Sequence, residues 1–300
     1  RVFDSFPIRD WDRWLDDRQP SLFVQAVAPD SAAKDLLAGT TLAAHPGFGG
    51  SLGAGSENIT AAWTPDGSAV VFTATANRHE SAFAEVVQSL WLVPVAGGEP
   101  RRLTPDVASY GAPAFSPDGK VLYASVQPES EKVYTHGRLA RWNWPAMDGR
   151  AVITQGFDRA VGTYRPAPDG TSVFLLAEDE GYEKLYTVPS AGGAVREVGA
   201  LKAGVLTNLG GGGSAAAPVL AALWESAVNP PELVRVDPKT GARAALTSFN
   251  AARAAQIDWQ PAEAFWFTSA RGARIHNFLV RPPNFDPAKK YPLFVVIHGG

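Results

Sequence analysis

Short runs of alternating apolar and polar residues recur through the first 250 positions, and each is closed by a compact turn signal. Pro-Asp-Gly stands at 65–67, 117–119 and 168–170, separations of 52 and 51 residues. Each copy is followed by an alternating run: Ala69–Phe72, Val121–Ala124 and Ser172–Leu176. Proline presets φ and Asp-Gly tolerates positive φ, so strand, Pro-Asp-Gly, strand predicts a hairpin. A second hairpin signal follows twenty to thirty residues later. Leu90–Val93 turns at Gly97-Gly98, Arg141–Trp144 at Asp148-Gly149, Leu185–Val188 at Gly192-Gly193, and Leu233–Val236 at Lys239–Gly241.

Two hairpins per unit of about 50 residues is the period of a four-stranded propeller blade. Four near-complete blades are expected, ending near Thr104, Thr154, Gly199 and Thr247, with Leu22–Gln25 and the segment to Leu42 as the tail of an earlier one. A ring this short does not close, so about two further blades are expected upstream. The run Gly210–Ser214 reads as an extended hairpin loop between Val205–Asn208 and Val219–Trp224. It is no phosphate cradle, because no Gly-Lys-Ser/Thr opens a helix after it.

The repeat stops after Thr247, and Ser248–Gln256 is polar and small, as a linker would be. Ala264–Thr268, Ile275–Val280 and Leu293–Ile297 are then three predicted strands, the last apolar throughout and preceded by a proline-rich crossover at 282–287. A continuous apolar run predicts a strand buried on both faces of a parallel sheet. It ends in His298-Gly299-Gly300. In α/β-hydrolases a glycine-rich turn after the third strand supplies a backbone N–H to the oxyanion hole. The expected fold is therefore mainly β: an incomplete β-propeller of about four to five blades over residues 1–260, then the first strands of an α/β-hydrolase domain over 261–300.

Composition adds mostly exclusions. A hydrophobic fraction of 45% and a charged fraction of 19% fit a globular chain of more than one domain. The net charge of −3 gives no reason to expect nucleic acid or an anionic membrane, and no apolar stretch approaches the about 20 residues that span a bilayer. With no cysteine, stability rests on packing, and the redox compartment is not legible. The start, Arg1-Val-Phe-Asp, has neither initiator methionine nor signal-peptide pattern and reads as a piece of a longer protein.

An ordered series of motifs brackets the change of pattern: Asn229–Leu233, Leu246–Asn250, Arg271-Gly272, Pro282-Pro283, Phe285–Pro287, Lys290–Leu293 and His298–Gly300. Through it the chain resembles the prolyl oligopeptidase family of serine peptidases, in which a β-propeller caps an α/β-hydrolase domain. The junction is similar to those of the dipeptidyl-peptidase and acylaminoacyl-peptidase branches. Val2–Ser5 and Ile8–Trp14 resemble a segment of the dipeptidyl-peptidase V group, which releases dipeptides from N-termini with apolar side chains near the cut. The resemblance implies Ser-His-Asp acyl transfer without metal or other cofactor, with the propeller gating access. It implies peptide substrates and neither nucleic acid nor membrane as partners, and it leaves a homodimer open. That branch is often exported, which leans towards periplasmic or secreted placement with the cytoplasm left open. Serine, aspartate and histidine would all follow the HGG turn and so are not in this chain. What the chain would supply is the oxyanion donor, the N–H of Gly300, with Gly299 shaping the turn. The 300 residues alone are then expected to be inactive on a dipeptide p-nitroanilide. Two rivals stand beside this reading: an acylaminoacyl-peptidase or oligopeptidase on the same scaffold, and a propeller that binds proteins without chemistry.

Other candidates have plainer readings. Gly49–Gly53 matches G-x-S-x-G but follows no apolar strand and precedes no helix, so it is expected to be a decoy. His298 orients the turn, and His45, His79, His136 and His276 lack metal-ligand spacing. Glu178-Asp179-Glu180 and Glu129/Glu131 lie on turns where an exopeptidase would hold a substrate's α-ammonium, although solvated turn acids look the same. Trp11, Trp14, Trp142 and Trp144 could line an apolar pocket or pack between blades.

Overall fold

The computed structural model describes residues 9–10, 13–14, 18–53, 56–81, 83–128 and 135–297. Its body is four consecutive four-stranded antiparallel sheets. The first comprises Ala61–Trp63, Ala69–Ala74, Ser89–Pro94 and Arg101–Arg102. In the second are Ser109–Phe115, Val121–Gln127, Arg138–Asn143 and Asp148–Val152. Tyr164–Pro166, Ser172–Asp179, Tyr182–Pro189 and Arg196–Glu197 make the third. Val205–Gly213, Pro218–Ser226, Asn229–Val236 and Arg243–Ala245 make the fourth. Strands adjacent in sequence are adjacent in each sheet, and one parallel pairing, Glu183 with Val205, ties the third sheet to the fourth. These are propeller blades, and they stop two residues before the four ends expected from sequence.

Because side chains alternate across a strand, each blade feeds two cores. In the second blade Leu122, Ala124 and Val126 pack with Val71 and Leu90 of the first, while Tyr123 and Leu139 pack with Val173, Leu175 and Ala177 of the third. Phe174 and Leu176 face the fourth blade's Leu206, Leu220 and Val234. Each of the Val, Leu and Phe side chains among these contributes about 1.5–3 kcal/mol by leaving water, so the blades are held chiefly by their sandwiching.

The turns repeat as closely as the cores. Gly67, Gly119 and Gly170 all take φ of 70°, a region open to glycine at little cost. Their N–H groups donate to Thr64, Ser116 and Ala167 carbonyls at 2.8, 2.9 and 2.9 Å. At the outer edge, Leu103, Ile153, Val198 and Leu246 donate to the carbonyls of Leu90, Leu139, Leu185 and Leu233. The hydroxyls of Thr104, Thr154 and Thr247 accept from the N–H of Leu90, Leu139 and Leu233, each at 3.0 Å. In the third blade Gly199 stands there instead. Its φ is 75°, and an added Cβ would strike the Thr240 carbonyl.

The earlier blade tail is present as an outer hairpin. Phe23–Val24 pairs with Lys34–Asp35, Leu36 donates to Leu22 at 2.8 Å as Leu103 does to Leu90, and Leu36, Leu37, Leu42 and Phe48 cover the first blade. Further back, Arg9–Asp10 pairs with Arg13–Trp14.

Two expectations need correcting. The glycines at 210–213 are not a loop: they belong to Val205–Gly213 and pair with Ala221, Leu220, Val219 and Pro218 after a bulge. The turn is Ser214–Ala217. Glycine suits the strand because a Cβ on Gly211 would press on Arg165 of the neighbouring blade at 3.2 Å. The second correction is Leu293–Ile297, which forms no strand among the described residues and lies exposed, with Phe294 at 89% and Val296 at 91%. A strand apolar on both faces needs neighbours on both edges and cover above and below, and the described residues provide neither. Before it, a one-turn helix at Ala251–Ala254 leads to a regular hairpin of Ala262–Thr268 with Arg274–Val280.

Candidate functional site

In an up-and-down blade the link between second and third strands and the crossing to the next blade emerge at one end; the Pro-Asp-Gly turns lie at the other. The hairpin at 262–280 meets the crossing end. Phe278 sits over the tip of the third blade, edge-on to Tyr182 with ring centroids 6.2 Å apart. A Cβ on Gly181 would lie 2.5 Å from the Phe278 ring, and its φ is 78°. Glycine is required there twice over.

In the first blade the long connection after Ala74 folds over Phe48–Gly50. Arg78 and Glu57 form an ion pair of 3.0 Å, with side chains only 12% exposed. Glu57 also accepts from the N–H of Gly50 at 2.8 Å, and Gln88 donates to the Gly50 carbonyl at 3.1 Å. His45 and His79 meet edge-on at 5.9 Å, and no group of three or more His, Cys, Asp or Glu fit for a metal occurs among the described residues. Gly49 bridges to Thr75, and Ser51–Gly53 pairs with Ser56–Asn58 as a small hairpin, so G-x-S-x-G here is no strand-to-helix elbow.

The third blade's tip carries the acidic run. Glu180 and Gly181, with φ of 53° and 78°, form the two-residue turn between Asp179 and Tyr182. Asp179 is fully committed: Lys184 Nζ donates at 2.6 Å, and Arg159 Nη2 and Nε at 2.7 and 2.9 Å. Those bonds, the Lys184 one foremost, hold its carboxyl below the usual range against the opposing effect of burial. It is therefore not free for a substrate amine. Glu178 instead stands directly across the ladder from Glu183. Burial first, and then the Glu178 charge, push the Glu183 carboxyl up, and neither residue has a cation or hydrogen-bond donor among the described residues. Glu183 escaped the sequence reading because 178–180 was read as a turn. Taking Glu180-Gly181 as the two-residue turn would have placed residues 178 and 183 opposite each other.

Of the remaining candidates, Trp142 packs on Tyr110 and Trp144 on Phe115, ring centroids 5.4 and 5.1 Å apart, as core between and within blades. His276 stacks between Trp266 and Phe278 on the hairpin. His298, Gly299, Gly300, Glu129, Glu131 and Trp11 lie outside the described residues, as does the side chain of Trp14.

No protein-family model matches the chain. It is 24% identical over 304 aligned positions to dipeptidyl-peptidase 5 of Porphyromonas gingivalis, covering 100% of this chain and 42% of that protein. With dipeptidyl-peptidase 5 of Arthroderma otae the identity is 26% over 331 positions, covering 100% and 43%. The chain is similar to dipeptidyl-peptidase 5 along its whole length. It spans about two-fifths of those relatives. Among solved structures it resembles puromycin hydrolase, with TM-score 0.55 and 17% identity over 79% of this chain and 36% of that one. It also resembles the putative TolB of Agrobacterium tumefaciens, with TM-score 0.53 and 15% identity over 76% and 73%. These two likenesses bear on the fold, a β-propeller, and the resemblance to prolyl oligopeptidase-family enzymes read from the junction motifs is borne out.

Proposed function

We propose that the chain is part of the propeller and the opening strands of the catalytic domain of a serine peptidase that releases dipeptides from free N-termini, with apolar side chains near the cut. The observation that carries this is the end-to-end similarity to dipeptidyl-peptidase 5, which includes the junction between the last blade and the HGG turn. In this reading Leu293–Ile297 is the buried strand of a hydrolase sheet, exposed here for want of its neighbours. The role this reading gives Gly300 is that of an oxyanion donor, worth about 3–4 kcal/mol of transition-state stabilisation. In this reading the serine, aspartate and histidine follow the HGG turn and lie outside this chain.

Glu178 and Glu183 favour a dipeptidyl over an acylaminoacyl activity. Two facing carboxylates without a cation suit a substrate's α-ammonium and gain nothing from an acetylated terminus. The test is the full-length protein on a free-amino dipeptidyl p-nitroanilide and its N-acetyl counterpart. Cleavage of the free form alone is expected, with KM raised about tenfold or more, the scale of one lost charge-assisted bond, by Glu183→Gln. Preference for the acetylated form would make it an acylaminoacyl-peptidase, and cleavage of neither would leave a binding propeller.

A further inference from the structure

The tip of the third blade is held differently on its two faces. Its two-residue turn, Glu180-Gly181, has φ of 53° and 78°, and two-residue hairpin turns of that hand favour asparagine, aspartate or glycine in the first position. Glutamate in the left-handed region is a poor fit, so the turn does not hold itself. On the face shared with Ala177, which packs with the second blade, Asp179 is gripped by Lys184 and Arg159. The Lys184 and Asp179 side chains are only 11% and 17% exposed, and Arg159 comes from the crossing between second and third blades. On the opposite face, shared with Leu176 and Leu185, Glu178 and Glu183 stand across the ladder from each other. The same crossing reaches that face too: the Gly162 N–H donates to the Leu176 carbonyl at 2.9 Å, and a Cβ on Gly162 would lie 3.3 Å from Glu183 Oε1. One short stretch, 159–162, therefore fastens the turn on one side and seats a carboxylate on the other.

We propose that Arg159 and Lys184 are positioning residues: through Asp179 they fix the register that brings Glu178 and Glu183 together as one seat for a substrate's α-ammonium. The proposal rests on the peptidase reading for its substrate and on the ladder geometry for the rest. In this role neither cation touches the substrate. Charge and position then act with opposite signs. A cation removed for its charge alone leaves the tip more negative, which favours an ammonium and pushes the Glu183 carboxyl further up. A cation removed as a clamp frees the turn, parts the two carboxylates and lets Glu183 reach water, which weakens ammonium binding and returns Glu183 towards an ordinary glutamate.

The experiment has two arms. In the full-length protein, Lys184→Met and Arg159→Gln are assayed on a free-amino dipeptidyl p-nitroanilide beside Glu183→Gln. Each clamp variant is expected to raise KM about threefold or more with kcat within about twofold, the pattern of a lost binding contact. Arg159→Lys, which keeps a cationic donor for Asp179, should recover most of the loss. In the 300-residue chain, carboxyl carbon shifts follow Glu183 against pH in the same variants. Its titration, raised in the native chain by burial and then by the Glu178 charge, should move down towards the ordinary value of about 4.3. Lys184→Met keeps the apolar stem, and Arg159 is 40% exposed, so Arg159→Gln is the variant least able to disturb the fold. A KM that falls, or a Glu183 titration that rises or stays, overturns the proposal. KM raised by Glu183→Gln but not by the clamp variants overturns it and leaves the peptidase reading in place. KM unmoved by Glu183→Gln removes the ammonium seat itself, and the proposal with it.

Discussion

The blades between residues 61 and 245 and the segment from 262 to 297 are both written as strands, yet they meet opposite fates. In the blades, Leu122, Leu175 and Leu176 have no exposed surface, because each strand finds its pairing partner within a few residues and its covering sheet one repeat away. Past the last blade the hairpin pairs in full register but leaves Phe265, Trp266 and Phe267 nearly half exposed, and Leu293–Ile297 lies bare. A meander satisfies its hydrogen bonds locally and stacks on its neighbour, whereas a strand of a parallel sheet depends on crossovers of a dozen or more residues. Burial of the second kind is a property of chain that the described residues do not contain.

The sharpest way to break this contrast is a pair of truncations followed by urea unfolding. Leu175→Ala, in the core between second and third blades, should cost about 2–5 kcal/mol, as for other buried leucines. In this 300-residue chain, where Val295 is exposed, Val295→Ala should stay within about 0.5 kcal/mol. Equal losses would mean that Val295 is packed and the contrast false.

The same division governs what could be read from the amino-acid sequence. Pro-Asp-Gly at a constant period carries its own geometry, so the four blades and the earlier tail were legible to within two residues. The glycine run at 210–213 was misread because turn and close backbone approach call for the same residue, and only the neighbouring Arg165 tells them apart. Glu183 stayed hidden because its partner depends on the register of a two-residue turn. The strand at 293–297 was legible as apolar but not as unpaired, since pairing is decided elsewhere.

A middle-sized effect sharpens the comparison inside the propeller. Thr154 is 1% exposed and caps the N–H of Leu139, itself fully buried. Thr154→Val strands that donor in the core and should cost about 1–3 kcal/mol. Thr247 makes the same bond to Leu233, which is 37% exposed. There water replaces the hydroxyl, and Thr247→Val should cost less than about 1 kcal/mol. Chemical denaturation of both variants checks the order, and a reversed order would mean that the edge of the fourth blade is covered.

The smallest effect tests how local the blade turns are. Asp66 accepts from the Thr64 hydroxyl at 2.6 Å, the Ser68 hydroxyl at 2.8 Å and the Ser68 N–H at 3.1 Å, and these bonds, Thr64 first, hold its carboxyl down at about 2. The third blade has Ala167 where Thr64 stands, and Asp169 accepts from the Thr171 N–H at 2.9 Å, so the turn forms without the hydroxyl. A carboxyl depressed in the folded state stabilises above its unfolded pKa of about 3.9, and that contribution is lost as pH falls through the folded value. Thr64→Ala should therefore move the Asp66 titration up from about 2 towards the ordinary carboxylate range. It should leave stability at pH 7 slightly lower and make acid loss of the first turn begin at higher pH. Carboxyl carbon chemical shifts between pH 1.5 and 6 in both forms read this directly, and an unmoved Asp66 would show that something other than its own turn sets its charge.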